Sequence, residues 1–175
     1  AESATITGQI RYEGPLPRKT NQDDYGLRRP LFKTNPKTNG LIGAIVYLIP
    51  QDTTLKSTPP SDPVTVMQRD FTFEPHILVV APGQTVIFGN DDPANHNVRA
   101  DTQTASNAFN VITTPDQFYE DTFALEPEHK PIPIACDVHP WMSVWIYVLD
   151  HPYYALTDDT GAFTIPDVPP GNYRV

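Results

Sequence analysis

The sequence has little that could form disulfides, long helices or a membrane span. Its 175 residues include a single cysteine, Cys136, which excludes an internal disulfide. No apolar run is long enough to cross a bilayer. The 20 prolines interrupt every stretch of helical periodicity, and apolar runs such as residues 45–49 are rich in β-branched side chains. The composition predicts an all-β chain, long enough for one larger domain or two small ones.

Basic residues are scarce in the middle of the chain. Between residues 70 and 160 only Arg99 and Lys130 oppose fourteen Asp and Glu, whereas residues 1–37 carry seven Lys and Arg against four acidic residues. Phosphate binding needs a basic footprint, so this distribution disfavours nucleic acid as a partner. The acidic stretch either serves solubility alone or attracts a basic protein partner.

The single cysteine belongs to an unusual group of potential metal ligands. Cys136, His139 and Met142 follow one another at three-residue spacing within residues 135–142, ACDVHPWM. Sulfur selects copper(I), zinc or iron–sulfur clusters, imidazole suits copper and zinc, and an added thioether shifts the choice to copper. Two histidines and a cysteine with a weak axial methionine describe a mononuclear electron-transfer copper site. The upstream His96 is the candidate for the second histidine.

Strand periodicity predicts that these ligands meet at one end of a β-sandwich. Apolar residues alternate along residues 132–136, which places Cys136 on the inward face at the end of its strand. The alternation resumes over residues 144–148, so the ligand loop is short. His96 follows a strand at residues 86–90 and an Asp-Asp-Pro turn, where the chain enters its next strand.

Each ligand also has a plainer interpretation. Cys136 could be a buried structural thiol and Met142 a core filler, because both side chains pack well in apolar interiors. A histidine at a strand end is often a hydrogen-bonded surface residue. The combined spacing favours ligands over these alternatives, most strongly for Cys136 and least for Met142.

The segment from about residue 64 to residue 150 resembles a cupredoxin, the type 1 blue copper family. The loop from Cys136 to Met142 is similar to the short amicyanin type, and His96-Asn97 resembles the upstream His-Asn of that family. Residues 73–80 and 137–153 resemble plastocyanin-like bacterial proteins described as methylamine-utilisation-like. The resemblance implies a Greek-key β-sandwich that binds one copper ion and cycles it between Cu(I) and Cu(II).

The resemblance also implies roles for residues around the metal. Asn97 would tie the two ligand loops together, and Asn90 would either assist it or only open the turn that follows. His139 would be the electron port, with Trp141 over the site as part of a flat docking patch. The partner would be a redox protein, such as a basic cytochrome c or an oxidoreductase. A periplasmic or other extracytoplasmic location follows from the family, and the start at Ala1 suits a processed N-terminus.

The ends of the chain resemble a second module. Residues 6–10, 43–48 and 157–175 are similar to strands of carboxypeptidase regulatory-like, transthyretin-type β-sandwiches. We therefore predict that residues 1–63 and 151–175 form one discontinuous domain with the cupredoxin, residues 64–150, inserted in it. The alternative is one enlarged sandwich whose termini add edge strands.

Within the first part we expect a strand at 4–12, an irregular arm at 13–40, a continuous strand at 41–50 and a linker at 51–63. In the cupredoxin part we expect strands at 64–71, 76–81, 84–90, 96–100, 118–125, 131–136 and 143–149.

The favoured function is one-electron transfer without enzymatic turnover, because the ligand set leaves no open coordination position. Two alternatives stay open. A copper chaperone would tend to show clusters of exposed Met and His, and this chain has two methionines. A non-redox β-sandwich binding module would not need the cysteine.

Overall fold

The structure, a computed structural model, describes residues 2–15, 20–22, 28–30, 32–51, 55, 60 and 62–175. These residues are almost wholly β, with two 3₁₀ turns (Ala105–Asn107 and Pro127–His129) and no α-helix, which confirms the predicted all-β class. None of the helical segments in the described ranges has the length and apolar character needed to cross a membrane. The strands are β1 (Ala4–Gln9), β2 (Thr20–Gln22), β3 (Arg28–Pro30), β4 (Lys33–Thr34), β5 (Leu41–Ile42), β6 (Ile45–Tyr47), β7 (Ile49–Pro50), β8 (Val64–Arg69), β9 (Thr72–Glu74), β10 (Ile77–Val80), β11 (Thr85–Asn90), β12 (His96–Ala100), β13 (Phe109–Thr113), β14 (Phe118–Thr122), β15 (Ile132–Ala135), β16 (Ser143–Val148), β17 (Tyr154–Leu156), β18 (Ala162–Val168) and β19 (Tyr173–Arg174).

The chain divides into two compact units. Unit 1 comprises Ala1–Leu55 and Pro152–Val175, and unit 2 comprises Lys56–His151. In sequence, unit 2 therefore lies between the two parts of unit 1, and the strands of the N-terminal part pair with those of the C-terminal part. The assignment of unit 1 to a transthyretin-type module stays a prediction.

Unit 2 is a sandwich of two sheets around one core. One sheet has the strand order β10-β16-β15-β12-β13 and the other β14-β11-β8-β9. The pairs β10/β16 and β8/β11 are parallel, and the remaining neighbours are antiparallel. Alternate residues of both sheets face inward, as the period of a strand requires. The buried apolar core comprises Val66, Phe73, Val80, Val86, Phe88, Val98, Ala100, Phe123, Ile132, Ile134, Cys136, Trp141, Met142, Val144, Ile146 and Val148.

In the described residues of unit 1 there are five antiparallel strand pairs. Three of them, β1/β18, β6/β17 and β7/β19, join its N- and C-terminal parts, and β2/β3 and β4/β5 lie within the N-terminal part. Its buried apolar core is small and contains Val46, Leu48, Ile165 and Val168. Gly40 lies against the turn before β18, where a Cβ atom would be 1.8 Å from the Thr160 carbonyl oxygen. Only glycine allows the two backbones to approach so closely.

Several predicted elements of unit 1 differ from the structure. The continuous strand expected at 41–50 is wrong, because this segment is divided into β5, β6 and β7. Gly43 adopts φ +70° and turns the chain between β5 and β6, whereas β6 and β7 pair with different strands, β17 and β19. The arm expected at 13–40 contains short pairs, β2/β3 and part of β4/β5. Positions 16–19, 23–27 and 31 of this arm, and positions 52–54, 56–59 and 61 of the predicted linker, lie outside the described residues.

In unit 2 the predicted strands overlap with observed ones, and two observed strands were not predicted. These are β9 and β13. The strand expected at 64–71 ends at Arg69, because Asp70 and Phe71 form a two-residue turn with φ of 51° and 55°. β13 has a half-polar sequence, FNVIT, that gives a weak strand pattern on its own.

Candidate metal centre

Three of the four predicted ligands lie together at one end of the unit 2 sandwich. His96 is the first residue of β12, and Cys136 directly follows β15. His139 lies in the short connection from Cys136 to β16, which begins at Ser143. Because β12 and β15 are antiparallel neighbours, the start of one strand lies beside the end of the other. The sheet topology therefore brings the separate histidine to the cysteine loop.

The donor atoms of these residues face one another. The Nδ1 atoms of His96 and His139 are 2.8 Å apart. Cys136 Sγ is 4.0 Å from His96 Nδ1 and 3.8 Å from His139 Nδ1. His96 and Cys136 are buried, whereas His139 is half-buried. Two imidazole nitrogens and one sulfur thus converge on a single point from three positions of the chain.

The donor set fits a metal ion. A metal bound about 2.0–2.1 Å from nitrogen and about 2.3 Å from sulfur requires nitrogen–sulfur separations of roughly 3.6–3.8 Å at tetrahedral to trigonal angles. The two observed nitrogen–sulfur separations, 3.8 Å and 4.0 Å, are close to these values. The two Nδ1 atoms, 2.8 Å apart, are closer than the roughly 3.3–3.6 Å that the same angles require, so the imidazoles must move apart by about half an ångström to hold an ion. A His₂Cys donor set suits copper or zinc.

Met142 lies next to this group and is fully buried. Its backbone N–H donates to the His139 carbonyl oxygen at 2.9 Å, and its own carbonyl accepts from the Cys136 N–H at 3.3 Å. These bonds close the loop on itself and join all three loop residues. The thioether of Met142 as an axial ligand stays a prediction.

Asn97 links the two ligand-bearing segments, as the resemblance implies. Its side-chain oxygen accepts from the Asp137 N–H at 2.6 Å, and its amide nitrogen donates to Asp137 Oδ2 at 2.9 Å. The backbone N–H of Asn97 points at Cys136 Sγ, 3.5 Å away. Asn97, which follows His96, is thereby fixed to Asp137, which follows Cys136. The Cys136 sulfur also receives a weak hydrogen bond.

Asn90 fixes the segment that precedes His96. Its side chain donates to the carbonyl oxygens of Ala94 and Thr113, at 2.9 Å and 3.0 Å, and its oxygen accepts from the Asp92 N–H. Asn90 thus opens the turn and also braces it from inside, and its role beside a bound metal stays a prediction.

Asp92 is a residue that the sequence interpretation missed. Its carboxylate is buried, with 5% of the residue exposed, and Oδ2 accepts from His96 Nε2 at 2.9 Å. Because the carboxylate can only accept, this hydrogen bond keeps the N–H of His96 on Nε2 and leaves the lone pair on Nδ1, the atom that faces the cysteine. The four-residue spacing of Asp92 and His96 across a turn was the available signal, but in the sequence Asp92 is only part of an Asp-Asp-Pro turn.

The predicted surface position of Trp141 is wrong. The residue is 9% exposed, and its Nε1–H donates to the Phe71 carbonyl oxygen at 3.0 Å. Its ring centroid lies 5.3 Å from that of His139. Trp141 is part of the core because the hairpin turn at Phe71 offers a hydrogen-bond acceptor for the indole. The exposed apolar residue of the loop is Val138, at 59%.

Arg99 forms two ion pairs beside the ligand loop, one with Asp137 and one with Asp101. Arg99 Nε donates to Asp137 Oδ1 at 2.8 Å, and Arg99 Nη1 donates to Asp101 Oδ2 at 3.2 Å. The Arg99 hydrogen bond holds the pKa of Asp137 below its ordinary value. The residue after Cys136 therefore carries a fixed negative charge that Arg99 largely neutralises.

Comparisons with known proteins give a likeness of fold. No family model and no curated protein matches the chain. A Cu(I) structure of an amicyanin mutant aligns over 49% of this chain and 81% of its own, with 24% identity and a TM-score of 0.43. A purple cupredoxin from Nitrosopumilus maritimus aligns over 49% and 99%, with 20% identity and a TM-score of 0.41. The copper-containing nitrite reductase NirK of Thermus scotoductus SA-01 aligns over 59% of this chain but 26% of its own, with 24% identity and a TM-score of 0.45. The chain is thus similar in fold to cupredoxin-like β-sandwiches.

Proposed function

We propose that this chain is a mononuclear copper protein that carries one electron at a time between redox partners. The observation that carries the proposal is the convergence of His96 Nδ1, His139 Nδ1 and Cys136 Sγ within 4.8 Å of one another. Cys136 and His96 would hold the metal from inside the sandwich and His139 from its rim, with the Met142 thioether as a fourth, weaker ligand. Copper, when bound, supplies a Cu(II)/Cu(I) couple.

The hydrogen bonds of the chain would hold the ligands in place in either valence state of a bound copper ion. Cys136 and Met142 are tied through backbone bonds, and Asn97 joins their loop to the strand that begins with His96. Such outer hydrogen bonds fix the orientation of ligands and tune the metal. A site that rearranges little between two valences exchanges electrons with a small barrier. The Asn97 N–H, directed at Cys136 Sγ, stabilises negative charge on that sulfur and thus influences the potential.

His139 is the proposed route for electrons. It is half-buried, whereas His96 is 0% exposed, so the His139 imidazole is the ligand closer to solvent. Val138 and Pro140, on either side of it, are exposed. A partner that contacts this part of the loop would come within a short distance of the metal without exposing it to bulk water.

The partner we propose is a redox protein with a basic surface. Unit 2 carries four Lys and Arg against thirteen Asp and Glu, a balance of −9. A surface of one sign speeds the encounter with a partner of the opposite sign and makes the rate depend on salt. A cytochrome c or an oxidoreductase in an extracytoplasmic compartment would meet this description.

The proposal is tested by adding copper(II) to the purified protein and to two variants. The wild type should develop an intense visible absorption band that bleaches on reduction and returns on oxidation. Cys136→Ser removes the thiolate and should abolish the band, whereas His76→Asn, which changes a histidine outside the three-residue group, should leave it intact. A wild type that binds copper without a thiolate band would favour a chaperone. A wild type that binds no copper would favour a non-redox binding module.

A further inference from the structure

The turn between β8 and β9 lies against the metal centre and has an unusual sequence. Arg69 pairs with Thr72, so Asp70 and Phe71 are the two central residues of the hairpin turn. Both have positive φ, 51° and 55°. A turn of this kind favours Asn-Gly or Asp-Gly, because glycine adopts positive φ without steric cost. Phenylalanine at the second position is a costly choice that turn formation does not explain.

The backbone of Phe71 bonds to both sides of the site. Its N–H donates to Asp92 Oδ2 at 3.0 Å, the oxygen that also accepts from His96 Nε2. Its carbonyl oxygen accepts from Trp141 Nε1 at 3.0 Å. Phe71 is thus bonded to the Asp92 carboxylate, which orients His96. It is also bonded to the Trp141 indole, which lies on the loop of the other proposed ligands.

The ring of Phe71 contacts both histidines. Its centroid lies 5.5 Å from that of His96 and 5.0 Å from that of His139, with interplanar angles of 87° and 83°. Near-perpendicular arrangements at these distances are the favourable geometry for aromatic rings. The two imidazoles are themselves tilted at 68° with centroids 4.7 Å apart. The three rings form one packed group in which Phe71 supports both imidazoles.

We propose that Phe71 is a positioning residue of the metal centre, and that the β8–β9 turn is its third loop beside the segments of His96 and Cys136–Met142. The ring holds the two imidazoles with their Nδ1 atoms together and limits the access of water to them. This inference rests on the proposed function for the identity of the metal, but the arrangement of the rings belongs to the metal-free chain.

Two substitutions remove the ring and keep the turn. Phe71→Gly places the preferred residue at positive φ and leaves the N–H and carbonyl groups that bond to Asp92 and Trp141. Phe71→Asn provides a second ring-free variant, because asparagine tolerates the left-handed region better than most residues. Asp70→Gly is the matched control, because it relieves the strain of a positive φ in the same turn and keeps the Phe71 ring.

The first readout is zinc(II) affinity, measured by competition with a chromophoric chelator after circular dichroism has confirmed folding. Loss of a supporting contact typically weakens metal binding by about 10- to 100-fold. Phe71→Gly and Phe71→Asn should lose at least about tenfold, and Asp70→Gly should stay within about twofold of the wild type. Equal affinity in all four proteins, or an equal loss in Asp70→Gly, would overturn the role of the ring.

The second readout needs no metal. Loss of the ring current by itself shifts the imidazole signals, so the readout is the tautomer pattern in long-range ¹H–¹⁵N spectra of the apo-protein. The imidazoles of His96 and His139 should each show one fixed tautomer in the wild type and Asp70→Gly, and averaged Nδ1 and Nε2 signals in the two ring-free variants. A wild type that binds zinc(II) but shows no copper–thiolate band would contradict the proposed function and still allow Phe71 to be judged by affinity. If the wild type binds neither metal, unchanged tautomer patterns overturn the inference and changed patterns support it.

Discussion

The two units are stabilised by different kinds of contact. Among the described residues, unit 2 has a core of sixteen buried apolar residues between two sheets, whereas the core of unit 1 has four among five strand pairs. Unit 1 depends more on close backbone approach, as at Gly40, and on turn bonds such as those that Asp158 Oδ1 accepts from the N–H groups of Thr160 and Ala162. A site that must hold several ligands in fixed positions needs rigid supporting residues. The larger core provides them, and the three converging donors lie at its end.

The units also differ in charge. Unit 1 contains eight basic and eight acidic residues, so the formal net charge of −9 of the whole chain resides in unit 2. Under the proposed function, a basic partner would therefore be attracted to unit 2 rather than to unit 1.

The largest expected effect is the loss of stability that a cavity in the smaller core, that of unit 1, would cause. Ile165→Ala should lower the free energy of unfolding of unit 1 by about 2–5 kcal/mol, because Ile165 is fully buried among few neighbours that could close the gap. Denaturant unfolding measures the loss. The absorption of the copper-loaded protein should not change. A lost band would show that the site depends on unit 1 and would break the separation of roles.

The next effect concerns the backbone contact in unit 1. Gly40→Ala should cost about 1–3 kcal/mol, since the new Cβ would meet the Thr160 carbonyl at 1.8 Å and strand ends must move. Gly43→Ala is the matched control, because Gly43 has φ +70° but nothing within 4 Å of its Cβ position. Its cost should be about 1 kcal/mol from backbone strain alone. Thermal unfolding of both variants distinguishes steric overlap from strain, and equal losses would contradict the close-approach account.

A smaller effect is expected from the carboxylate beneath the site. Asp92→Asn should weaken zinc(II) binding by about 10- to 100-fold, because an amide orients the His96 imidazole less firmly than a carboxylate does. Asp91→Asn changes the neighbouring residue, whose carboxylate pairs with Arg69 at the surface, and should have little effect. Chelator competition compares the two. Similar affinities would show that His96 is positioned without Asp92.

The smallest effect is a pH-dependent one in unit 2. Burial raises the pKa of Glu126, but hydrogen bonds from Thr102 and Asn107 outweigh it, so the pKa lies below its ordinary value. A lowered pKa stabilises the fold above the ordinary Glu value of about 4.3, and this stability is lost as the pH falls through the folded-state pKa. Glu126→Gln should therefore cost about 1 kcal/mol at pH 7 and progressively less below about pH 4. A cost that is independent of pH would contradict the assignment.

The sequence singled out three residues that the structure brings together, and their role as metal ligands stays a prediction. His96, Cys136 and His139 were identified because their chemistry and spacing are rare, and Asn97 because it accompanies them. Trp141 was placed at the surface because nothing in its own segment shows that the Phe71 carbonyl would bond to it from 70 residues away. Asp92 and Phe71 were missed for the same reason: their roles come from tertiary contacts, and each has an ordinary appearance in sequence.

Among the elements, strongly patterned strands were predicted and irregular ones were not. Alternation over residues 132–136 and 144–148 predicted β15 and β16 nearly to the residue. The apolar run at 41–50 gave no sign of the break at Gly43, because a continuous apolar pattern does not reveal a change of partner. Strands β9 and β13 were not predicted, because short or half-polar segments become strands only when a neighbouring strand pairs with them.

The measurement that tests the central claim most directly is cyclic voltammetry of the copper-loaded protein, with Cys136→Ser and zinc-loaded wild type as controls. The wild type should give one reversible one-electron wave that survives repeated cycling, and both controls should give none. A wild type that holds copper through His96, Cys136 and His139 but gives no reversible wave would contradict the assignment of this chain as an electron carrier.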